Sequence, residues 1–213
     1  MNMTIRKILV IIAMLAVAVS FYPTDTYASS KVVKSTTYVN ALKSGNYVYC
    51  TNAHRLFKVD LKKKTVKVMA TSKAGYISCM KIRKGYLYYA EMSQYGAECL
   101  IYRINLKTGK KATLARNTSG DYAIKGKKIY YNHAQVINND IKYKKRVMKL
   151  NGKSKKSTKY KVKMKKKMSN ASGYLVVDDY DSDYYNDWSD ETVNYYLKTP
   201  NGYIFLENFY LVI

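Results

Sequence analysis

Apolar and polar residues alternate in short runs along most of the chain after residue 30. The runs are 4–8 residues long, are rich in Tyr, Val and Ile, and are separated by Gly, Asn and Lys. Alternation with a period of two is typical of half-buried β-strands, whereas an amphipathic helix repeats every 3.6 residues. The helical period is not seen after the N-terminal segment. The pattern therefore predicts an all-β fold built from many short strands.

The strand pattern also repeats along the chain. Four similar segments begin at glycines: "GNYVYC" at Gly45, "GYLYYA" at Gly85, "GKKIYYN" at Gly126 and "GYLVVDD" at Gly173. Their central aliphatic residues are 39, 42 and 46 positions apart. Each segment follows a weaker strand and precedes two more, of which the first reads "LFKVDL", "IYRINL" or "VMKLNG" in the first three copies. Four strands in about 40 residues are typical of a β-propeller blade, which buries its faces against neighbouring blades.

These segments resemble the β-propeller repeats similar to those of the low-density lipoprotein receptor, found in many exported bacterial proteins with a domain of unknown function. The resemblance covers about residues 36–206, and it carries no general catalytic motif. We place the repeats at about 36–72, 76–117, 121–165 and 168–206, in a domain spanning 36–213. Receptor-type propellers have six blades, so four repeats leave open a four-bladed ring, an open array or a truncated chain. The alternative fold is a two-sheet β-sandwich.

The N-terminus has the pattern of a secretory signal peptide. A head with Arg6 and Lys7 precedes the twelve-residue apolar run Ile8–Val19, and small residues surround the cut expected after Ala28. A bilayer span takes about 20 residues, so this run is short for one. We predict a signal peptide over 1–28, a linker over 29–35 and a secreted or cell-surface location. The alternative is an uncleaved anchor, which would then be the protein's membrane contact.

Charge narrows the choice of partners. The formal net charge is +24, and removal of Arg6, Lys7 and Asp25 with the signal peptide leaves +23. Such a charge favours anionic partners, here an anionic wall polymer or an acidic glycan, through long-range attraction. Nucleic acid is a disfavoured partner because the chain has no motif for it. The alternative is that lysine only solubilises exposed strands and protects their edges.

The basic residues are concentrated in one segment. Lys142 to Lys167 contains 14 basic residues and no acid. Its end, "TKYKVKMKKKM", alternates lysines with Tyr, Val and Met, which as an outer strand would place a lysine row on one face. We predict this row as a ligand-binding track for a polyanion, formed by Lys159, Lys161, Lys163 and Lys165.

The opposite charge is concentrated in "DDYDSDYYNDWSDE", residues 178–191, which holds seven acids. The oxygen-ligand spacing of a calcium loop is met by Asp179, Asp181, Asp183, Asp187 and Asp190. Two departures are Tyr184, where that loop needs Gly, and Asp190, where it has Glu. Calcium is thus the one cofactor that the sequence suggests. The alternatives are an acidic loop that pairs with the protein's own lysines, or a glycan site formed by Tyr184, Tyr185 and Trp188.

Catalysis has little support in the sequence. The two histidines, His54 and His133, fall in predicted loops, and the lipase-type serine, zinc-protease and P-loop motifs are missing. The three cysteines, Cys50, Cys79 and Cys99, allow one internal disulfide at most and read as small apolar strand residues. We therefore predict a non-enzymatic binding module of the cell envelope that holds a polyanionic or glycan ligand on its loop face, which includes the loop predicted at 133–143. A protein–protein interaction scaffold, stabilised by calcium, is the alternative.

The calcium hypothesis has a direct test. If residues 179–190 bind the ion, calcium should raise the thermal midpoint of the mature protein, because a ligand that binds only the folded state stabilises it. Asp181→Ala should abolish that rise while the midpoint in chelator stays within about 2 °C of wild type. Equal midpoints of the wild-type protein in calcium and in chelator would exclude the site.

Overall fold

The computed structural model of the chain describes residues 32–34, 41–72, 75–93, 98–163, 174–178 and 191–211. Throughout these ranges the regular elements are β-strands, which confirms the predicted all-β class. None of the ranges contains a helix with the length and apolarity needed to cross a membrane.

The described ranges contain sixteen strands in four sheets. In chain order they are β1 (Val32–Lys34), β2 (Ala41–Ser44), β3 (Tyr47–Thr51), β4 (Arg55–Asp60), β5 (Thr65–Thr71), β6 (Gly75–Arg83), β7 (Tyr86–Ser93), β8 (Cys99–Asn105), β9 (Lys111–Lys125), β10 (Lys128–Ile137), β11 (Asp140–Lys149), β12 (Lys156–Ser157), β13 (Lys161–Lys163), β14 (Leu175–Asp178), β15 (Glu191–Thr199) and β16 (Gly202–Leu211).

The first sheet is the antiparallel meander β2–β5, and the next seven strands, β6–β12, form one continuous sheet in chain order. The larger sheet consists of two four-stranded meanders that share the 15-residue strand β9. We call β6–β8 with the first half of β9 the second unit, and the second half of β9 with β10–β12 the third unit. The propeller-like repeat therefore persists, although two of its copies are fused.

The shared strand β9 bends where the two units meet. Asn117 and Gly120 have left-handed φ angles of 51° and 77°, and the pairing of β9 with both neighbours shifts register at Thr118. A Cβ atom at position 120 would lie 2.8 Å from the terminal methyl carbon of Met92. Glycine at this position therefore allows both the backbone turn and the close packing of Met92.

The glycines that begin the first three Tyr-rich segments lie in hairpin turns. Gly45, Gly85 and Gly126 follow β2, β6 and β9 and have φ angles of 59°, 72° and 59°. Before Gly85, Lys84 also has a positive φ of 51°, and two consecutive left-handed residues match the right-handed twist of the strands that they join. These glycines are regularly spaced because each of the first three units contains one such hairpin turn.

The last sheet is the antiparallel meander β14–β15–β16. The predicted first strand of this repeat, near residues 168–172, lies outside the described residues. One face of the sheet packs on the first sheet, whereas Leu175, Tyr203 and Phe205 are exposed elsewhere on it, Tyr203 to 63%. Contact between the last sheet and the first is compatible with a closed propeller.

Two short strands depart from the predicted repeat. β1, in the predicted linker, pairs in parallel with β13, with Val33 opposite Val162. β13 belongs to the segment predicted as the outer strand of the third repeat, but the strand beside β11 is β12. The physical reason is that Val162 is buried against Ala123 and Tyr130, on a face of the third unit, so that β13 covers this face instead of extending the sheet.

Apolar side chains between facing sheets form the core. The first sheet and the second unit bury Tyr49, Leu56, Leu87 and Tyr89 between them. The second and third units bury Tyr88, Ile101, Tyr131 and Met148. The last sheet and the first bury Val48, Phe57, Leu197 and Leu206. Packing of one four-stranded unit on the next is the propeller-like arrangement that the repeat predicted, and it disfavours a two-sheet sandwich.

A buried carboxylate connects the last sheet to the first. Glu207, on β16, accepts a hydrogen bond of 2.7 Å from the side-chain amide of Asn52 and an ion-paired hydrogen bond from Arg55. The carbonyl oxygen of the Asn52 side chain accepts hydrogen bonds from the backbone N–H groups of His54 and Arg55, with N···O distances of 3.1 and 2.8 Å. One carboxylate thus joins the C-terminal sheet to the loop between β3 and β4.

Glu207→Ala should destabilise the protein. The change leaves the buried amide of Asn52 without its carboxylate partner, and the loss of a charged hydrogen-bond acceptor costs about 1–3 kcal/mol. Urea unfolding should show this loss in the free energy of unfolding, with Glu98→Ala, which removes an exposed carboxylate, as the control. Equal stabilities of the two variants would show that the contact does not hold the sheets together.

Candidate anion-binding site

A cavity of about 570 Å³ opens between the second and third units. It lies where the two meanders diverge from the bend of β9, so each unit supplies one wall. Its lining is Thr113, Leu114, Ala115, Arg116, Asn117, Tyr131, His133, Arg146 and Lys155. Four of these residues carry basic groups and none carries a carboxylate, which makes the cavity a candidate site for an anion.

The wall from the second unit is the first half of β9. Leu114 and Ala115 are buried in the core between the units, and they fix the strand in place. Arg116 follows them immediately and is exposed, one residue before the left-handed Asn117. The core contact and the bend together place residue 116 in the cavity wall. The guanidinium group of Arg116 is also near the Tyr102 hydroxyl, where it opposes the rise in pKa that burial causes in that group.

The wall from the third unit is the hairpin β10–β11. Its register is regular, with Tyr131 opposite Arg146 and His133 opposite Lys144. Because facing residues of antiparallel strands point to the same side, Tyr131, His133 and Arg146 share one face. Lys155 lines the same cavity from the turn that precedes β12. A hydrogen bond of 2.9 Å from the Lys149 N–H to the Lys153 carbonyl closes this turn.

The electrostatics of the cavity are dominated by its cations. Burial raises the pKa of the Tyr131 hydroxyl, and the nearby Arg146 opposes this rise by favouring the phenolate. Within the part of the chain that the structure describes, Arg116, Arg146 and Lys155 form no ion pair with a carboxylate. Cations that converge on a concave surface without acids attract anions strongly, because low-dielectric walls focus the field.

Other basic residues have a structural role instead. The Lys58 ammonium lies 3.8 Å from the centre of the Tyr47 ring, and the Arg103 guanidinium lies 4.7 Å from that of Tyr86. Cation–π contacts of this kind contribute about 0.5–1 kcal/mol each to stability at exposed sites. Part of the basic excess is thus explained by packing on tyrosines, whereas the cations of the cavity show no such contact among the described residues.

The structure separates the predicted lysine row from the cavity. Lys159 and Lys161 are exposed beside Val162, which packs on the face of the third unit that carries Tyr130, and the cavity lies on the opposite face. Lys163 lies in β13, but its side chain is outside the described residues, as is Lys165. The predicted calcium and glycan residues, Asp179, Asp181, Asp183, Asp187, Asp190, Tyr184, Tyr185 and Trp188, also lie outside them, so those predictions remain untested.

Sequence reasoning missed the hairpin that forms half of the cavity. Residues 133–143 were expected to be a loop, and His133 a loop residue, but they belong to the continuous hairpin β10–β11. The turn is formed by Asn138 and Asn139, which have left-handed φ angles of 53° and 62°. The signal was present, because two asparagines between alternating runs are typical of a two-residue hairpin turn.

The described residues offer neither a metal centre nor a reactive thiol. They contain no group of three or more His, Cys, Asp or Glu side chains that could hold a metal ion. Cys50, Cys79 and Cys99 form no disulfide bond and are buried, as their reading as apolar strand residues predicted. Burial raises the pKa of each thiol, that of Cys79 to about 11, and so suppresses the reactive thiolate.

Comparisons with known proteins find similarity in structure alone. No protein-family profile matches the chain, and no curated protein is similar to it in sequence. Among solved structures, a TolB protein from Agrobacterium tumefaciens is 13% identical over 84% of this chain and 81% of its own, with a TM-score of 0.35. The designed protein Ika4 is 10% identical over 84% of this chain and 91% of its own, with a TM-score of 0.38. The tricorn protease is 10% identical over 78% of this chain and 21% of its own, with a TM-score of 0.37.

The buried thiols predict slow chemical labelling. In the native protein, Ellman's reagent should react with the three cysteines at least about a thousandfold more slowly than with free cysteine, because labelling requires transient opening of the strands. In concentrated urea all three should react at once. Rapid labelling of the native protein, or fewer than three reactive thiols after unfolding, would contradict the buried, reduced state.

Proposed function

We propose that this protein is an exported, non-catalytic binding module that holds a polyanionic ligand at the cavity between the second and third units. The observation that carries the proposal is the lining itself, which contains Arg116, His133, Arg146 and Lys155 and no carboxylate. Secretion, as the N-terminal pattern predicts, would bring this surface to the anionic polymers of a cell envelope.

The chemistry of the lining suits oxyanions. Guanidinium groups bind phosphate or carboxylate oxygens in pairs, and the ammonium of Lys155 adds a mobile positive charge. The side-chain amide of Asn117 belongs to the same lining and can hydrogen-bond the neutral parts of a ligand. A cavity of about 570 Å³ is large enough for one or two sugar- or polyol-phosphate units, so a polymer would thread only part of its length through it.

Binding of a purified anionic wall polymer should weaken steeply as salt rises. Each cation that contacts the polymer releases bound counterions, so Arg146→Gln should lower the slope of log K against log salt by about one. The same change should weaken binding about fivefold or more at low salt. Isothermal titration calorimetry at several salt concentrations measures both quantities.

The matched control is Lys63→Gln, which removes one exposed positive charge from the turn between β4 and β5 of the first sheet. It should change affinity by less than about twofold, because a charge on a distant exposed turn is screened by salt. If Lys63→Gln and Arg146→Gln weaken binding equally, the effect is one of net charge and the cavity is not the site. Affinity that does not change between low and high salt would exclude a polyanion.

A further inference from the structure

The basic surface continues from the cavity along β11. Lys142 and Lys144 occupy alternate positions before Arg146, so the three side chains lie on one face of the strand. This is the face that carries Tyr131 and His133 into the cavity lining. Lys142 and Lys144 are exposed, and none of the three cations forms an ion pair with a carboxylate in the ranges that the structure describes. We call Lys142, Lys144 and Arg146 the basic row.

The spacing of the basic row is set by the strand. Alternate residues of an antiparallel strand are about 6.8 Å apart, so the row presents three positive charges over about 14 Å. The residues opposite the two lysines on β10 are Gln135 and His133, both partly exposed. Amide and imidazole groups hydrogen-bond hydroxyl and phosphate oxygens. The row therefore alternates charge with neutral polar contacts at a fixed interval.

The other face of the same hairpin carries mainly exposed apolar and aromatic side chains. It carries Val136, Ile141 and Tyr143, which are 70%, 43% and 51% exposed, and further along it carries Lys145. On the face of the basic row, the aromatic ring of the described hairpin is Tyr131, which is only 3% exposed. Single-stranded nucleic acid is held largely by bases stacked on exposed aromatic rings, and the row offers none in these residues.

We propose that the basic row and the cavity form one continuous track for a linear alditol-phosphate polymer, such as poly(glycerol phosphate). In such a chain, three carbons and two oxygens separate successive phosphorus atoms, and the distance between charges is similar to the spacing of alternate residues on a strand. Hydroxyl groups on those carbons meet Gln135 and His133. This inference rests on the proposed function, to which it adds the class of ligand and the path that the ligand takes.

The spacing of the basic row also predicts that affinity depends on the chain length of the ligand. A short oligomer fills the cavity alone, whereas a longer one also covers Arg146, Lys144 and Lys142 in order. Affinity should therefore rise with chain length until about five phosphates are bound, and then level off apart from a statistical gain. A point-like anion site would show no such rise.

The test measures binding of the mature protein to labelled glycerol-phosphate oligomers, in a length series from dimer to octamer, by fluorescence anisotropy at low salt. Lys142→Gln and Lys144→Gln should each weaken octamer binding about fivefold and leave dimer binding unchanged. The matched control is Lys145→Gln, a neighbour on the same strand that points to the other face. It should change octamer binding by less than about twofold, and circular dichroism should show all three variants folded.

The outcomes separate this inference from the proposed function. If the wild-type protein binds no anionic polymer at low salt, the proposed function fails and the track with it. If it binds the octamer but Lys144→Gln behaves like Lys145→Gln, or if dimer and octamer bind equally well, the cavity holds the ligand and the track is wrong. Tighter binding of single-stranded DNA or heparin with the same number of charges would overturn the alditol-phosphate assignment.

Discussion

The structure depends on one constraint, which is that a four-stranded unit with two apolar faces must bury both. Two consecutive residues of β7 show this directly. Tyr88 is buried between the second and third units, and its neighbour Tyr89 is buried between the second unit and the first sheet. Because successive side chains of a strand point to opposite faces, a unit with such a strand cannot be stable alone. The fold is therefore a series of units, each of which supplies a face to the next.

The same constraint determines where a ligand can bind. Facing sheets pack closely along their middle strands, but the second and third units share β9 and must diverge from its bend at Asn117 to Gly120. The space between them is then lined by residues that follow buried positions, such as Arg116 after Ala115. The hairpin β10–β11 extends past the packed region, so that its outer residues need not be apolar. A polar site thus arises beside the core without interrupting it.

The sequence predicts the elements of this fold better than their assembly. Period-two alternation and the regular glycines predict the strands, because both signals act within a few residues. The cavity combines Arg116, Arg146 and Lys155, which are far apart in sequence and meet only because β9 bends between two units. The parallel pairing of β1 with β13 is also a tertiary effect, driven by burial of Val162. The two-residue hairpin turn at Asn138 and Asn139, in contrast, could have been recognised from the sequence alone, because these residue types are typical of such turns.

The need to bury the apolar faces does not determine where charged side chains lie. The charge of a strand lysine can be compensated locally, as that of Lys58 is by the ring of Tyr47, and such a lysine then costs the fold little stability. Arg146 and Lys155 instead bring positive charge to one cavity, and like charges on one concave surface destabilise the folded state. Residues that reduce stability in this way without a compensating contact are typical of functional sites. A polyanion bound there, as we propose, would relieve that repulsion and so stabilise the folded protein.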